Sequence, residues 1–107
     1  MDVEFSIRSK PPYKQAPASS SEKGNQKLYR QNLEIEARKH FSKPIKGNIR
    51  IEITHTRAKG RSDAANIIGG IADALQGIGF EDDRQIVEIH YREEKGNMDS
   101  YLVRISS

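Results

Sequence analysis

The chain has 107 residues, of which 31% are charged, and a formal net charge of +3. It has no cysteine, which excludes disulfides, thiolate zinc sites and a cysteine nucleophile, so any essential metal is expected to be Mg²⁺ or Mn²⁺ held by carboxylates. A chain of this length is expected to form one domain, residues 1–107. No apolar run is long enough to cross a bilayer and the first residues do not form an apolar leader, so we expect a cytoplasmic protein without a membrane partner.

The first third of the sequence predicts a strand, a loop and a helix. Val3, Phe5 and Ile7 alternate with polar residues, as in a half-buried strand that ends at Lys10-Pro11-Pro12. The stretch through Asn25 is rich in Pro, Ser and Lys and has no apolar period, so we expect a mobile loop. A helix is predicted from about Gln26 to His40, because apolar side chains recur every fourth residue: Tyr29, Leu33, Ala37 and Phe41.

The second strand and second helix have clearer patterns. Ile49, Ile51 and Ile53 alternate with polar residues and predict a strand that runs toward His55 and Arg57. Ser62 or Asp63 can cap the helix that follows. Its apolar stripe has near-ideal spacing, through Ala64, Ile67, Ile68, Ile71, Leu75 and Ile78, and the polar groups of the opposite face are expected to lie away from the core.

Two more strands complete the pattern. Ile86, Val87, Ile89 and Tyr91 predict the third, and Tyr101, Val103 and Ile105 predict the fourth. The turn residues Lys95-Gly96-Asn97 between them favour a C-terminal hairpin. The order β-α-β-α-β-β indicates an α+β fold with a mixed sheet of about four strands and two main helices, and the small core favours a dimer.

The two parts of the chain have opposite charge. Residues 1–62 hold 14 Lys and Arg against 6 Asp and Glu, a net +8, whereas residues 63–107 hold 4 against 9, a net −5. A basic part that binds phosphates and an acidic part that holds divalent cations would suit an enzyme acting on nucleic acid. Mutual attraction of two solvated faces explains the division equally well.

Three separated blocks carry the most specific signal: Arg61-Ser62-Asp63-Ala64-Ala65-Asn66, Asp73-Ala74-Leu75, and Glu81-Asp82-Asp83-Arg84-Gln85-Ile86. They resemble the signature of RusA-type Holliday-junction resolvases, in which Asp-x-Asp-Asn begins a helix, a lysine follows one turn on, and Asp-Ala-Leu precedes Asp-Asp-x-Gln-Ile. The resemblance covers roughly residues 59 to 92, and it implies a dimeric, Mg²⁺-dependent endonuclease that cuts opposing strands of four-way junctions.

The resemblance also implies site residues. Asp63, Asp82 and Asp83 take the catalytic and metal-binding positions, and Asn66 and Asp73 support the site. Two positions depart from the signature, since Ala65 stands in place of the second aspartate and Gly69 in place of the helix lysine. These changes remove a hard oxygen ligand and a cation that could steady a phosphate, so cleavage itself is in question.

The acidic residues have ordinary structural interpretations as well. Asp63 can serve as a helix N-cap, Asp82 and Asp83 can be turn residues, and Asp73 can bond a neighbouring loop. Asp63 and Asp73 lie about 15 Å apart along one helix, at about 1.5 Å per residue, so they cannot share an ion. We expect Asp63 and Asp83 to approach closely enough to share one. Each of the three histidines is expected to be a packed or surface residue rather than a base.

Basic residues on both sides of the acidic site are the candidates for DNA contacts. They are Lys10, Lys14, Lys23 and Lys27 before it, and Arg57, Lys59, Arg61 and Arg84 around it. The mid-helix pair Gly69-Gly70 either packs closely against a strand or dimer mate, or leaves a bare face for a DNA backbone.

Two other functions stay open. A junction-binding protein that has lost cleavage with Ala65 and Gly69 predicts binding without nicks. A subunit-interaction module without a DNA role predicts no DNA binding at low salt.

Overall fold

The computed structural model describes residues 2–14, 20–60 and 63–107, without the side chains of residues 20–22. Four strands form one mixed sheet: β1 (Asp2–Ile7), β2 (Ile49–Arg57), β3 (Ile86–Lys95) and β4 (Ser100–Ser106). The described residues also contain two helices, α1 (Ser20–Arg38) and α2 (Ala64–Leu75), and a short 3₁₀ helix at Asp83–Gln85. The predicted α+β fold and its β-α-β-α-β-β order are confirmed.

The strand order is β1-β4-β2-β3. Strand β4 pairs antiparallel with both β1 and β2, and β3 pairs parallel with β2, placing Ile51 beside Ile89 and Ile53 beside Val103. A parallel pair needs a crossover, which α2 provides between β2 and β3. Strand β2 is therefore central, with its three isoleucines almost completely buried.

The predicted C-terminal hairpin is wrong, because β2 lies between β3 and β4. The connection from Gly96 to Asp99 crosses the end of β2 instead of turning back directly. There the Gly96 N–H donates to the Arg57 carbonyl at 3.0 Å, and the Asp99 carboxylate accepts from the Ala58 N–H at 3.1 Å. The isoleucines of β2 are buried in the core, which favours a central position with a paired strand on each edge. This preference outweighs the local turn signal.

Helix α1 begins at Ser20, so the loop predicted through Asn25 is wrong where the structure describes it, over residues 20–25. Residues 23–25 are exposed, which explains why no apolar period marks these first turns. The stripe farther along is confirmed, with Leu33, Ala37 and Phe41 buried against the sheet.

The apolar stripe of α2 is confirmed as well, since Ile67, Ile71 and Leu75 are fully buried. The helix ends at Leu75 rather than near Ile78, and Gly77 turns the chain with a positive φ of 89°. The close packing predicted for Gly69-Gly70 is confirmed, but the partner is the segment after β1 rather than a strand or a dimer mate. Gly70 is buried because the backbone of Pro12 and Tyr13 lies directly on it, with no room for a Cβ.

In the described part of the chain, no helix is both long and apolar enough to span a membrane.

Candidate nucleic-acid interface and acidic residues

Asp63 caps the N-terminus of α2. Its carboxylate accepts hydrogen bonds from the Asn66 backbone N–H at 3.3 Å and from the Asn66 side-chain amide at 3.0 Å. The capping interpretation of Asp63 is therefore confirmed, and Asn66 orients the carboxylate. Asp63 remains exposed, and each carboxylate oxygen can accept more than one hydrogen bond, so capping does not prevent contact with a cation.

Asp82 caps the 3₁₀ helix that leads into β3. The Arg84 guanidinium binds both of its oxygens, at 3.2 and 3.0 Å, and this pairing lowers the pKa of Asp82 to about 2. Arg84, which was predicted to contact DNA, is thus the partner of an acid, although 87% of its side chain remains exposed. Asp83 follows as an exposed residue of the 3₁₀ helix.

Gln85 has a structural role that the sequence did not reveal. Its side-chain oxygen accepts from the N–H groups of Glu81 and Asp82, and its amide donates to the carbonyls of Ile45 and Gly47, both at 2.8 Å. One side chain therefore joins the entrance of β3 to the segment before β2. The only sequence signal was its place in the Asp-Asp-x-Gln-Ile block.

Nothing in residues 2–14, 20–60 and 63–107 gathers three acidic or histidine side chains as a metal-binding group. Residue 65 is an exposed alanine, and Arg84 engages both oxygens of Asp82. The described residues of one chain therefore do not fit a three-carboxylate Mg²⁺ site, and we derive no catalytic step through a metal. Assignment of Asp63, Asp82 and Asp83 to metal binding stays a prediction.

The predicted DNA-binding lysines group around two cavities formed by α1 and the segment after β1. The first, of about 630 Å³, lies between the segment after β1, α1 and α2, and its charged lining residues are Lys14, Lys23, Lys27, Arg30 and Asp73. Arg30 was not predicted, although its spacing from Lys23 and Lys27 places all three on one face of a helix. Four cations against one carboxylate make this cavity strongly basic.

The second cavity, of about 230 Å³, has Lys10, Arg57, Lys59 and Asp99 as its charged lining residues in the part of the chain that the structure describes. Tyr13 and Gln26 line both cavities, so the two are neighbours. Six of the eight predicted DNA contacts therefore lie on one surface. Arg84 is not among its lining residues, and Arg61 lies outside the residues that the structure describes.

Arg57 is less available to a ligand than its position suggests. Its guanidinium pairs with Glu93 at 3.3 Å, and only 12% of its side chain is exposed. Next to it, His55 Nδ1 lies 3.0 Å from the Tyr91 hydroxyl, which in turn donates to Glu93 at 3.2 Å. Burial lowers the pKa of His55, so the ring is neutral within this network at neutral pH. The prediction that His55 is a packed residue is confirmed.

Asp73 bonds the neighbouring segment, as its structural interpretation predicted. Its carboxylate lies 3.8 Å from Lys14 Nζ, and its backbone carbonyl accepts from Arg30 at 3.4 Å. The opposite charges of the two parts of the chain therefore partly neutralise each other within the fold, through Lys14 with Asp73, Arg50 with Glu88 and Arg57 with Glu93.

Comparison with known proteins gives one family and no individual relative. No curated protein matches the chain significantly. The family model described as endodeoxyribonuclease RusA matches residues 8–106, which include both cavities and every acidic residue discussed above. The chain therefore belongs to the RusA endodeoxyribonuclease family.

Proposed function

We propose that this chain is an endonuclease that resolves four-way DNA junctions in recombination and repair, and that residues 1–107 form its single domain. Family membership supports the nuclease class. The observation that carries the proposal is the basic surface formed by α1 and the segment after β1, where two cation-lined cavities lie next to each other. Since its substrate is DNA, we also propose an intracellular location.

The lining residues favour recognition of the sugar-phosphate backbone. Lysines and arginines bind phosphate through charge and hydrogen bonds, and such contacts position a protein without reading bases. Lys23 and Lys27 are exposed and line the first cavity, where their charge would attract a polyanion. Binding with little dependence on sequence follows, and we propose that the shape of branched DNA provides the selectivity.

The proposed cofactor is Mg²⁺ or Mn²⁺, with Asp63, Asp82 and Asp83 as candidate ligands. A divalent ion would supply an activated water and charge neutralisation for phosphodiester hydrolysis. One chain offers an incomplete ligand set, for the reasons given above. We propose that a second copy, or a rearranged Asp82, provides the remaining oxygen ligand.

A homodimer is part of the proposal, and β3 is the surface that suits it. This edge strand is ten residues long and leaves Val87 and Ile89 63% and 43% exposed. Edge strands with exposed apolar side chains pair readily with other chains. In an antiparallel pairing centred on His90, Glu88 of each copy would face Arg92 of the other, and Ile89 would face Tyr91, so the strand is complementary to itself.

A second candidate function is junction binding without cleavage. Ala65 and Gly69 favour it, because they leave out a carboxylate and a lysine that the family signature contains. The basic surface is common to both functions, so DNA binding alone does not separate them.

Cleavage of a labelled four-way junction in Mg²⁺ or Mn²⁺ separates the two functions. An endonuclease produces paired nicks that are lost with Asp63→Asn or Asp83→Asn while binding persists. Binding without nicks in either metal would instead establish the second candidate. Nicks that both variants leave unchanged would show that other residues, or a contaminant, carry the activity.

A further inference from the structure

The side chain of Lys14 packs directly against the backbone of Gly69, in the space that a Cβ would occupy. A Cβ built on Gly69 would lie 2.9 Å from Lys14 Cδ and 3.2 Å from Lys14 Cβ, closer than side chains normally approach. Any larger residue at position 69 would therefore displace the lysine. Glycine disfavours a helix interior, so its presence here calls for an offsetting gain.

Two contacts fix where Lys14 lies. Its backbone N–H donates to the Asn66 carbonyl at 3.1 Å, and its Nζ lies 3.8 Å from the Asp73 carboxylate. Asn66 also holds the Asp63 carboxylate, so Lys14 and Asp63 are positioned by the same residue of α2. The lysine thus runs along α2 from the turn of Asn66 toward Asp73.

Lys14 lines the first cavity together with three other cations. Lys23, Lys27 and Arg30 line the same cavity from α1. Among the described side chains, Asp73 is the single acid of that lining, and 61% of the Lys14 side chain is still exposed. A cation held by one partner and open to solvent can exchange that partner for an anion at low cost.

We propose that this cavity binds a backbone phosphate of the DNA strand and that Gly69 determines the position of Lys14, one of its four cations. The inference deepens the proposed function and rests on it. Lys14 belongs to the segment after β1, so the cation reaches α2 from outside the helix.

A double-mutant cycle between Lys14 and Gly69 tests the coupling. Junction affinity is measured in EDTA over a range of salt concentrations for Lys14→Ala, Gly69→Ala and the double variant. Lys14→Ala should weaken binding about 3- to 10-fold and lower the salt slope by about one, as expected for one phosphate contact. Gly69→Ala removes no charge but should cause a comparable loss, because it displaces the lysine, and the double variant should be no weaker than Lys14→Ala.

A matched control is available. Lys43→Ala removes an exposed lysine that does not line the cavity. It should keep wild-type affinity. Gly69→Lys in the Lys14→Ala background should restore the salt slope, since it returns a cation to the same turn.

Independent losses that multiply in the double variant, or a Gly69→Ala variant that binds like wild type, would overturn the inference and leave DNA binding intact. Failure of the wild type to bind any junction would refute the proposed function instead. In that case, chemical-shift changes at Lys14 and Gly69 on titration with inorganic phosphate would still support an anion site, and unchanged shifts would refute it.

Discussion

Gly70 is the residue at which α2 and the segment after β1 come closest. A Cβ there would overlap the backbone of Pro12 and come within 2.9 Å of Tyr13 Cα, and backbone cannot move aside as a side chain can. We expect Gly70→Ala to lower the free energy of unfolding by about 1–3 kcal/mol, as overpacking does. Urea denaturation measures it. Gly24→Ala, in open space on α1, should instead stabilise the protein by about 0.5–1 kcal/mol, and equal effects at both positions would contradict the packing described here.

His55 makes stability depend on pH. The ring is 3% exposed, and burial lowers its pKa below 6.5 despite the opposing charges of Glu93 and Asp99, with Arg57 adding to the shift. The unfolded chain therefore takes up a proton before the folded one does. The resulting loss in the free energy of unfolding is absent above pH 6.5 and grows as the pH falls from there to the folded-state pKa.

Urea midpoints at about pH 7.5 and about pH 5.5 test this dependence. The wild type should lose more stability on acidification than His55→Gln, which has no group to protonate. If His55→Gln lost as much stability on acidification as the wild type, His55 would not be the cause of the pH dependence.

Residue types alone predicted part of the site. A Ser/Asp pair before an apolar stripe was enough to predict Asp63 as a cap, because capping is local. The seating of Lys14 on Gly69 was not predictable, since it brings together residues 55 positions apart in the sequence. For the same reason, the sequence offered a strand or a dimer mate as the packing partner of Gly69-Gly70, whereas the segment after β1 packs there.

At the scale of elements, Gln85 joins the 3₁₀ helix to the segment before β2. Gln85→Ala would leave two N–H groups and two carbonyls without this partner. Because several of these groups are only partly buried, we expect a loss of about 1–3 kcal/mol in the free energy of unfolding. Gln85→Glu keeps the acceptor and loses both donated bonds, so it should fall between wild type and alanine. If Gln85→Ala were as stable as the wild type, the hydrogen bonds of Gln85 would not stabilise the fold.

The apolar periods predicted all the main elements, whereas pairing of the strands required the whole sheet. Isoleucine alternation in β2 and the stripe of α2 are local patterns that survive folding. The turn after β3 was misread as a hairpin because Lys95-Gly96-Asn97 has the same composition whether it joins neighbours or crosses a third strand. The first turns of α1 were missed because they line a cavity rather than the core.

At the scale of the molecule, the proposed dimer predicts the effect of one charge on the edge strand. Val87→Lys or Ile89→Lys should shift a dimer to monomer in sedimentation or light scattering, because a charge would be buried at the pairing edge. Lys46→Glu, an exposed change before β2, serves as the control and should leave the dimer intact. If the wild type were monomeric at high micromolar concentration, the proposed dimer would be refuted.

The separation of charge along the chain becomes a basic surface in the fold. Several acids of the C-terminal part neutralise cations of the N-terminal part, and the cations that remain around the two cavities face solvent. This surface, rather than a metal site, is the most developed functional feature of the described residues.

The central claim is that this surface recognises branched DNA. Competition between a four-way junction and a linear duplex of the same sequence, at about 0.1 M salt in EDTA, tests it most directly, because phosphate contacts are then weakened but not lost. The account predicts at least about tenfold tighter binding of the junction, worth about 1.4 kcal/mol. Equal affinity for both DNAs, or no binding to either, would contradict it.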